Sequence, residues 1–279
     1  MKRIKNVLIF FLAMVMLGAC RDKKSEKKEE ENIQQENTFV NPLKTEGAQC
    51  WANYYDGWYY YMQEAVDRLE LWRTRDITDL EHAEHKVIWI PKDPSNAHHL
   101  WGPEIHPIAG KWYVYYAASD DNMDNHQLFV LENSSADPFE GEFELKGRIS
   151  TDKNNNWAIH PNVFEHRGEW YYIWAEKTGV GRQISNLYIG KMAAANKLCT
   201  DQVLLTTPDY DWERVDFWVN EGPAILKHDG KIFLTFSASA TGACYCMGMM
   251  YSDENADLLD PHAWTKLRHS VLKTDEEKG

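Results

Sequence analysis

A short hairpin pattern occurs four times along this chain and restricts the folds that the chain can adopt. Its last copy spans residues 218–239, where an apolar run carrying one carboxylate is followed by a Lys-His-Asp-Gly turn and an aromatic, β-branched run. Asp-Gly supplies the positive φ of a tight hairpin loop, and the second run has the composition of a strand. The turn glycines of the four copies are Gly57, Gly110, Gly168 and Gly230, at spacings of 53, 58 and 62 residues.

The segments between the turns indicate what each repeat forms. Two further strand-like runs follow the first hairpin, at residues 69–73 and 86–90, which makes four strands in the repeat. A repeat of this length built of strands is typical of a β-propeller blade. The sequence therefore predicts an all-β protein, a β-propeller with about four blades in this chain, at residues 39–279.

The first 38 residues have a different character. Residues 1–19 begin with basic side chains and continue with an apolar run that is short for a membrane span. The run ends in Leu-Gly-Ala-Cys, which resembles a bacterial lipobox, so residues 1–19 are predicted to be a lipoprotein signal peptide and Cys20 the lipidated residue. An uncleaved anchor or an ordinary signal peptide is the alternative. Residues 20–38 are highly charged and lack apolar periodicity, as in a flexible tether.

Charge and cysteine content limit the partners. The chain carries a formal charge of −13, which makes it a poor partner for nucleic acid. We expect contact with a membrane only through the lipid, at the bacterial cell envelope. The remaining cysteines permit buried thiols or a disulfide, and their spacing is not by itself a zinc signature; they are Cys50, Cys199, Cys244 and Cys246.

Polar residues precede each turn glycine at a similar distance. In a propeller the first strand of each blade lines the central channel, so we expect Gln49, Glu104, His160 and Glu221 to face one another there. Among the other carboxylates, Asp56 is in a turn and Asp216 is near the rim.

Several motifs occur in order and at blade spacing, and together they resemble glycoside hydrolase family 43, in the arabinofuranosidase and xylosidase group. The resemblance covers nearly everything from Asn41 onward. The motifs are Asn41-Pro42-Leu43, Gly47-Ala48 before Trp51, Trp101-Gly102-Pro103-Glu104, Trp157-Ala158-Ile159, Asn220-Glu221-Gly222-Pro223 and Asp257-Leu258-Leu259-Asp260-Pro261 with Trp264-Thr265.

The resemblance implies a five-bladed propeller that hydrolyses arabinose- or xylose-containing plant cell-wall polysaccharides or oligosaccharides with inversion at the anomeric carbon. Inversion requires an acid and a base roughly 6.5–9.5 Å apart. The general acid falls on Glu221, the base position on Gln49, and the position of the carboxylate that tunes the acid on His160. Substrate contacts are expected from Trp51, Trp101, Glu104 and Asn220.

Two positions depart from the family pattern. Gln49 can orient a water, but an amide does not accept its proton near neutral pH. Glu104 is the best alternative base, although a scaffold role is preferred for it. A neutral His160 raises the pKa of a neighbouring acid less than an anion does. These departures predict weak turnover with sugar binding retained.

The family's fifth blade, with the histidine near its central ion, has no counterpart in the sequence, which ends 49 residues after Gly230. We expect no cofactor or metal, and an open ring where that blade would lie. A non-catalytic glycan-binding lipoprotein, or an inactive fragment of such an enzyme, stays open as an alternative.

Overall fold

The computed structural model describes residues 38–151, 157–178 and 184–275, and their regular structure consists of strands and single 3₁₀ turns. Residues 38–44 form a small unit of their own without a strand, and the remaining described residues belong to the second unit. The predicted signal peptide, Cys20 and all but the last residue of the predicted tether lie outside the described residues. No helix in the described ranges is long and apolar enough to cross a membrane.

The eighteen strands of the described residues form two four-stranded sheets and one ten-stranded sheet. We divide the ten-stranded sheet at its parallel pairing, between residues 184–185 and 218–219, which gives four antiparallel groups in chain order, called blades one to four. Blade one contains β1–β4, blade two β5–β8, blade three β9–β13 and blade four β14–β18. The strands are β1 (Trp51–Tyr55), β2 (Trp58–Met62), β3 (Leu69–Thr74), β4 (Glu84–Trp89), β5 (His98–Ile108), β6 (Lys111–Ser119), β7 (Gln127–Asn133), β8 (Glu144–Ile149), β9 (Ala158–His166), β10 (Glu169–Thr178), β11 (Ile184–Ala194), β12 (Lys197–Leu198), β13 (Val203–Thr206), β14 (Trp218–His228), β15 (Lys231–Ala238), β16 (Cys246–Asp253), β17 (Thr265–Lys266) and β18 (Leu272–Lys273).

The turn that joins the first two strands has the same conformation in every blade. The turn glycine and the residue before it both have φ between 46° and 81°, and the pairs are Asp56-Gly57, Ala109-Gly110, Arg167-Gly168 and Asp229-Gly230. Two successive positive φ values define the two-residue loop whose twist matches that of paired strands. The fourfold hairpin repeat predicted from the sequence is therefore confirmed.

The blades pack face to face through strands that are buried on both sides. In β6, Trp112, Val114 and Tyr116 belong to a core shared with blade one, whereas Tyr113 and Tyr115 belong to a core shared with blades three and four. Successive side chains of a strand point to opposite faces, so a blade between two others is apolar on both. This packing is that of a β-propeller, as the sequence predicts.

Blade four is covered on one face more than on the other. Its alternate residues Ile232, Leu234 and Phe236 are at most 1% exposed and pack in the core, whereas the intervening Phe233 and Thr235 are half-buried. On the adjoining β14, Leu226 is 62% exposed. In the described part of the chain the ring of blades is therefore open beyond blade four.

Candidate active site

The first strands of the blades share an irregularity near the predicted site. Gln49, Gly102, His160 and Gly222 all have φ between 50° and 56°. In blades two, three and four the pairing register shifts at this point, where the strand carries a β-bulge. A bulge re-aims neighbouring side chains, and positive φ strains residues other than glycine. Gln49 and His160 are therefore strained residues, and they lie where side chains of different blades come into contact.

A row of hydrogen bonds links blades one, three and four at this level. The backbone N–H of Gly222 donates to His160 Nδ1 at 3.2 Å, and His160 Nε2 lies 2.8 Å from Gln49 Oε1. Gln49 Nε2 donates to Glu64 Oε2 at 2.6 Å. We call these four residues the site row. Because a backbone N–H can only donate, Nδ1 of His160 is the acceptor, and Nε2–H donates to the Gln49 carbonyl.

The position of His160 keeps it neutral. Burial lowers its pKa, although the nearby carboxylates of Glu221 and Glu64 act in the opposite direction. Its side chain is 12% exposed. A neutral ring with the proton on Nε2 agrees with the hydrogen bonds on both sides. His160 thereby fixes the amide orientation of Gln49, with its nitrogen toward Glu64.

Glu221 lies beside the row and is held by a tyrosine. Its Oε1 accepts a hydrogen bond from the Tyr245 hydroxyl at 3.0 Å, and its Oε2 lies 3.8 Å from His160 Nδ1, beyond hydrogen-bonding distance. Burial and the charge of Glu221 raise the pKa of Tyr245, so the tyrosine stays a donor. The side chain of Glu221 is 17% exposed.

Glu104 does not join this row. Gly102 occupies the blade-two position, where an added Cβ would lie 2.9 Å from His160 Cδ2. Glu104 follows two residues later, is 7% exposed, and accepts hydrogen bonds at both oxygens from Asn162 Nδ2. Contrary to the expectation that Glu104 lines up with the other three residues, the register shift places Gly102 there, and Glu104 bonds to Asn162 instead. Its contact with substrate stays a prediction. The preferred scaffold role agrees with this position.

Glu104 forms a buried pair with His106. Glu104 Oε2 and His106 Nε2 are 2.9 Å apart. Burial raises the pKa of Glu104 well above its ordinary value and lowers that of His106 to about 3. Burial thus disfavours charge on both partners, and the pair is a neutral hydrogen-bonded unit beneath the site row.

The remaining predicted substrate contacts divide into two kinds. Trp51 and Trp101 are half-buried, with Trp51 donating to the carbonyl of Ile105 and Trp101 stacked on His126 at a centroid distance of 4.1 Å. Asn220 is fully buried, and its amide donates to Glu213 at 3.0 Å. Strand alternation turns Asn220 away from the face of Glu221, and its contact with substrate stays a prediction.

The structure also brings residues to the site that the sequence reading missed. Glu64 follows β2 by two positions, in an irregular segment without a motif, and Tyr245 lies outside the repeat pattern. Only a three-dimensional arrangement places them beside Gln49 and Glu221. The bulged residues had a detectable signal, since Gly102, His160 and Gly222 each precede a proline in blades two, three and four.

The described residues form neither a disulfide between cysteines nor a cluster of three or more metal-binding side chains. Cys50, Cys199, Cys244 and Cys246 are free thiols. Within residues 38–151, 157–178 and 184–275, no group of three His, Cys, Asp or Glu side chains could hold a metal ion. The ring nitrogens of His160 are also committed to Gly222 and Gln49.

Comparisons with known proteins point to one family. Residues 39–279 match glycosyl hydrolases family 43. The chain is 40% identical over 243 residues to an extracellular exo-α-(1→5)-L-arabinofuranosidase of Streptomyces chartreusis, covering 85% of this chain and 74% of the relative. It is 38% identical to the Streptomyces avermitilis protein of the same description, covering 87% of this chain and 51% of that relative. The crystal structure of an α-L-arabinofuranosidase from Lactobacillus brevis superposes with a TM-score of 0.81 at 38% identity, covering 86% of this chain and 78% of the other.

Proposed function

Because the chain belongs to glycosyl hydrolase family 43, we propose that it hydrolyses α-L-arabinofuranosyl linkages in plant cell-wall glycans, with inversion at the anomeric carbon. Relatives at 38–40% identity described as arabinofuranosidases support this substrate over a xyloside. The observation that carries the proposal is Glu221, which is held by Tyr245 beside the site row and whose side chain is 17% exposed.

The proposed reaction consumes one water. Glu221 donates its proton to the glycosidic oxygen as the bond from that oxygen to the anomeric carbon breaks. A water attacks the same carbon from the opposite face and loses its proton to a base. The products are arabinose of inverted configuration and an alcohol. Trp101, next to Gly102, and Trp51 offer half-buried rings for contact with the sugar.

The test compares an aryl α-L-arabinofuranoside with the corresponding aryl β-xyloside. We expect faster release from the arabinofuranoside and, by NMR, an inverted first product. Glu221→Gln is expected to lose most turnover, but less on substrates with a good leaving group, which needs no proton. Glu169→Gln, an exposed glutamate of β10 paired with Lys191, is the matched control.

A second candidate is a glycan-binding protein without turnover, which the amide at position 49 favours. Calorimetry with arabino-oligosaccharides distinguishes the two. Binding without release of sugar from any substrate would support the binding protein and contradict the hydrolase. Trp101→Ala is expected to weaken binding in either case.

We also propose that the protein is anchored at the cell envelope by lipid on Cys20. The Leu-Gly-Ala-Cys motif after an apolar run supports this location. Metabolic labelling with a fatty acid should mark the wild type and not Cys20→Ala, and the variant should leave the membrane fraction. Retention of Cys20→Ala in that fraction would refute the anchor.

A further inference from the structure

We propose that Glu64 is the general base of this protein, supplying the proton-accepting carboxylate that position 49 lacks. The inference rests on the proposed hydrolase function and deepens it. It concerns the division of labour between two neighbouring side chains, with Gln49 orienting the water and Glu64 receiving its proton.

The first argument is the way the fold holds Glu64 against Gln49. The backbone N–H of Glu64 donates to the carbonyl of Ala48 at 3.0 Å, which ties Glu64 to the residue preceding Gln49. The side chains are then joined by the 2.6 Å bond from Gln49 Nε2 to Glu64 Oε2. Two hydrogen bonds thus bring a carboxylate within one bond of the amide at the base position.

The second argument is that Gln49 and Glu64 can each form a further hydrogen bond besides the one that joins them. An amide nitrogen has two hydrogens and a carboxylate has two oxygens. The bond between them uses one hydrogen of Gln49 Nε2 and Oε2 of Glu64, and the second hydrogen and Oε1 are not part of it. A water between them can accept from Gln49 and donate to Glu64, which is the arrangement that an attacking water needs.

The third argument concerns the relation to the acid. Glu221 lies on the Nδ1 side of the His160 ring. On the Nε2 side, His160 bonds to Gln49, which in turn bonds to Glu64. Both carboxylates act electrostatically on the same ring. An imidazole and an amide therefore connect the acid to Glu64, and the proposal requires the two carboxylates to stand roughly 6.5–9.5 Å apart, as in an inverting pair.

Other carboxylates fit the role less well. Glu104 is buried and bonded to Asn162 and His106. Asp56 lies in the turn at the far end of β1 and is exposed. Asp216 is also exposed and makes no hydrogen bond to the site row. Among these carboxylates, Glu64 is the one that is hydrogen-bonded to Gln49.

The proposed step balances without a co-reactant. The water oxygen forms a bond to the anomeric carbon, one water proton passes to Glu64, and the glycosidic bond breaks as Glu221 protonates the leaving oxygen. Afterwards Glu64 returns its proton to solvent and Glu221 regains one. No group is oxidised or reduced.

The experiment measures kcat and KM of wild type, Glu64→Gln and Glu70→Gln on an aryl α-L-arabinofuranoside. Glu70 is a carboxylate of the same blade bonded to Arg68, away from the row. General base catalysis contributes about 10²–10⁴-fold. We expect a loss of kcat of about that size in Glu64→Gln with little change in KM, and wild-type kinetics in Glu70→Gln.

A second readout separates a base from a residue that only supports the fold. Azide is an anionic nucleophile that needs no base to deprotonate it. Azide added to Glu64→Ala should therefore restore release of the aryl group and yield a glycosyl azide of inverted configuration. The double variant Gln49→Glu with Glu64→Gln exchanges amide and carboxylate and should recover part of the lost rate. Circular dichroism and melting temperature are recorded for each protein.

Each result decides a different question. Turnover of Glu64→Gln close to wild type, or failure of azide to restore Glu64→Ala, overturns the role of Glu64 and leaves the hydrolase function standing. Absence of turnover in wild type on all arabinofuranosides overturns both. Loss in Glu64→Gln together with azide rescue supports both.

Discussion

Gly102 allows the geometry of the site row to be tested without altering any of its polar groups. An added Cβ at this position would lie 2.9 Å from His160 Cδ2 and 3.6 Å from Gln49 Oε1. Carbon atoms in contact prefer about 3.5–4.0 Å. In Gly102→Ala the imidazole must therefore move by roughly half an ångström or more, and the bond between His160 and Gln49 must lengthen or bend.

Gly110→Ala is the matched control, because both glycines belong to blade two and both have positive φ, 53° and 77°, while an added Cβ at Gly110 meets no atom within 4 Å. Left-handed backbone costs about 1–2 kcal/mol for alanine, so both variants should lose that much stability. Overpacking adds about 1–3 kcal/mol, and only in Gly102→Ala.

The assay combines urea unfolding with kcat/KM on an aryl α-L-arabinofuranoside. Displacement of a positioning group by about 1 Å can cost about 10²-fold in rate. We expect a loss between about tenfold and this value in Gly102→Ala and wild-type kinetics in Gly110→Ala. Equal kinetic losses in the two variants, or none in Gly102→Ala, would refute the packing of Gly102 against His160.

Three further predictions concern other parts of the molecule. Tyr245→Phe removes the hydrogen bond to Glu221, and a hydrogen bond to a charged group contributes about 1.5–3 kcal/mol. The kcat/KM of the variant should therefore fall on substrates with poor leaving groups, and an unchanged kcat/KM would contradict the contact. Burial lowers the pKa of His106 to about 3 and raises that of Glu104, so the contribution of His106 to stability is lost as pH falls from 6.5 toward 3, and that of Glu104 as pH rises above 4.5. Each of these two pH dependences of the unfolding free energy has a slope of at most about 1.4 kcal/mol per pH unit. Urea unfolding across pH should show that His106→Gln removes only the loss at falling pH and Glu104→Gln only the loss at rising pH. Parallel curves for the two variants would contradict these pKa shifts. Gly248→Ala places a Cβ 2.4 Å from an aromatic ring, and a loss of about 1–3 kcal/mol is expected from overpacking, whereas a neutral effect in urea unfolding would show that the ring can move.

The hairpins were predictable because their determinants are local. Asp-Gly at residues 56–57 and 229–230 favours positive φ in two successive residues, and the flanking aromatic runs pair across so short a loop. The same signal at four places identifies the blades. The position of Glu221 beside His160 also agrees with the sequence reading, since both lie on first strands of their blades.

The register of the first strands was only partly predictable. Counting back from each turn glycine aligns Glu104 with Glu221, but the bulges shift that count, and the structural equivalents are Gly102 and Gly222. Asn220 was expected among the substrate contacts, whereas strand alternation places neighbouring residues of a strand on opposite faces. The proline after each bulged residue in blades two to four is the signal that corrects the register.

The sequence by itself determined the strands, the hairpin turns, the number of repeats and the residues that replace the usual carboxylates at positions 49 and 160. Those properties depend on neighbours a few residues apart. Only the tertiary structure decided that Glu64 contacts Gln49 and that Tyr245 contacts Glu221. These contacts join irregular segments to Gln49 and Glu221, 15 and 24 residues away in the chain, and such segments carry no periodicity from which an orientation can be read.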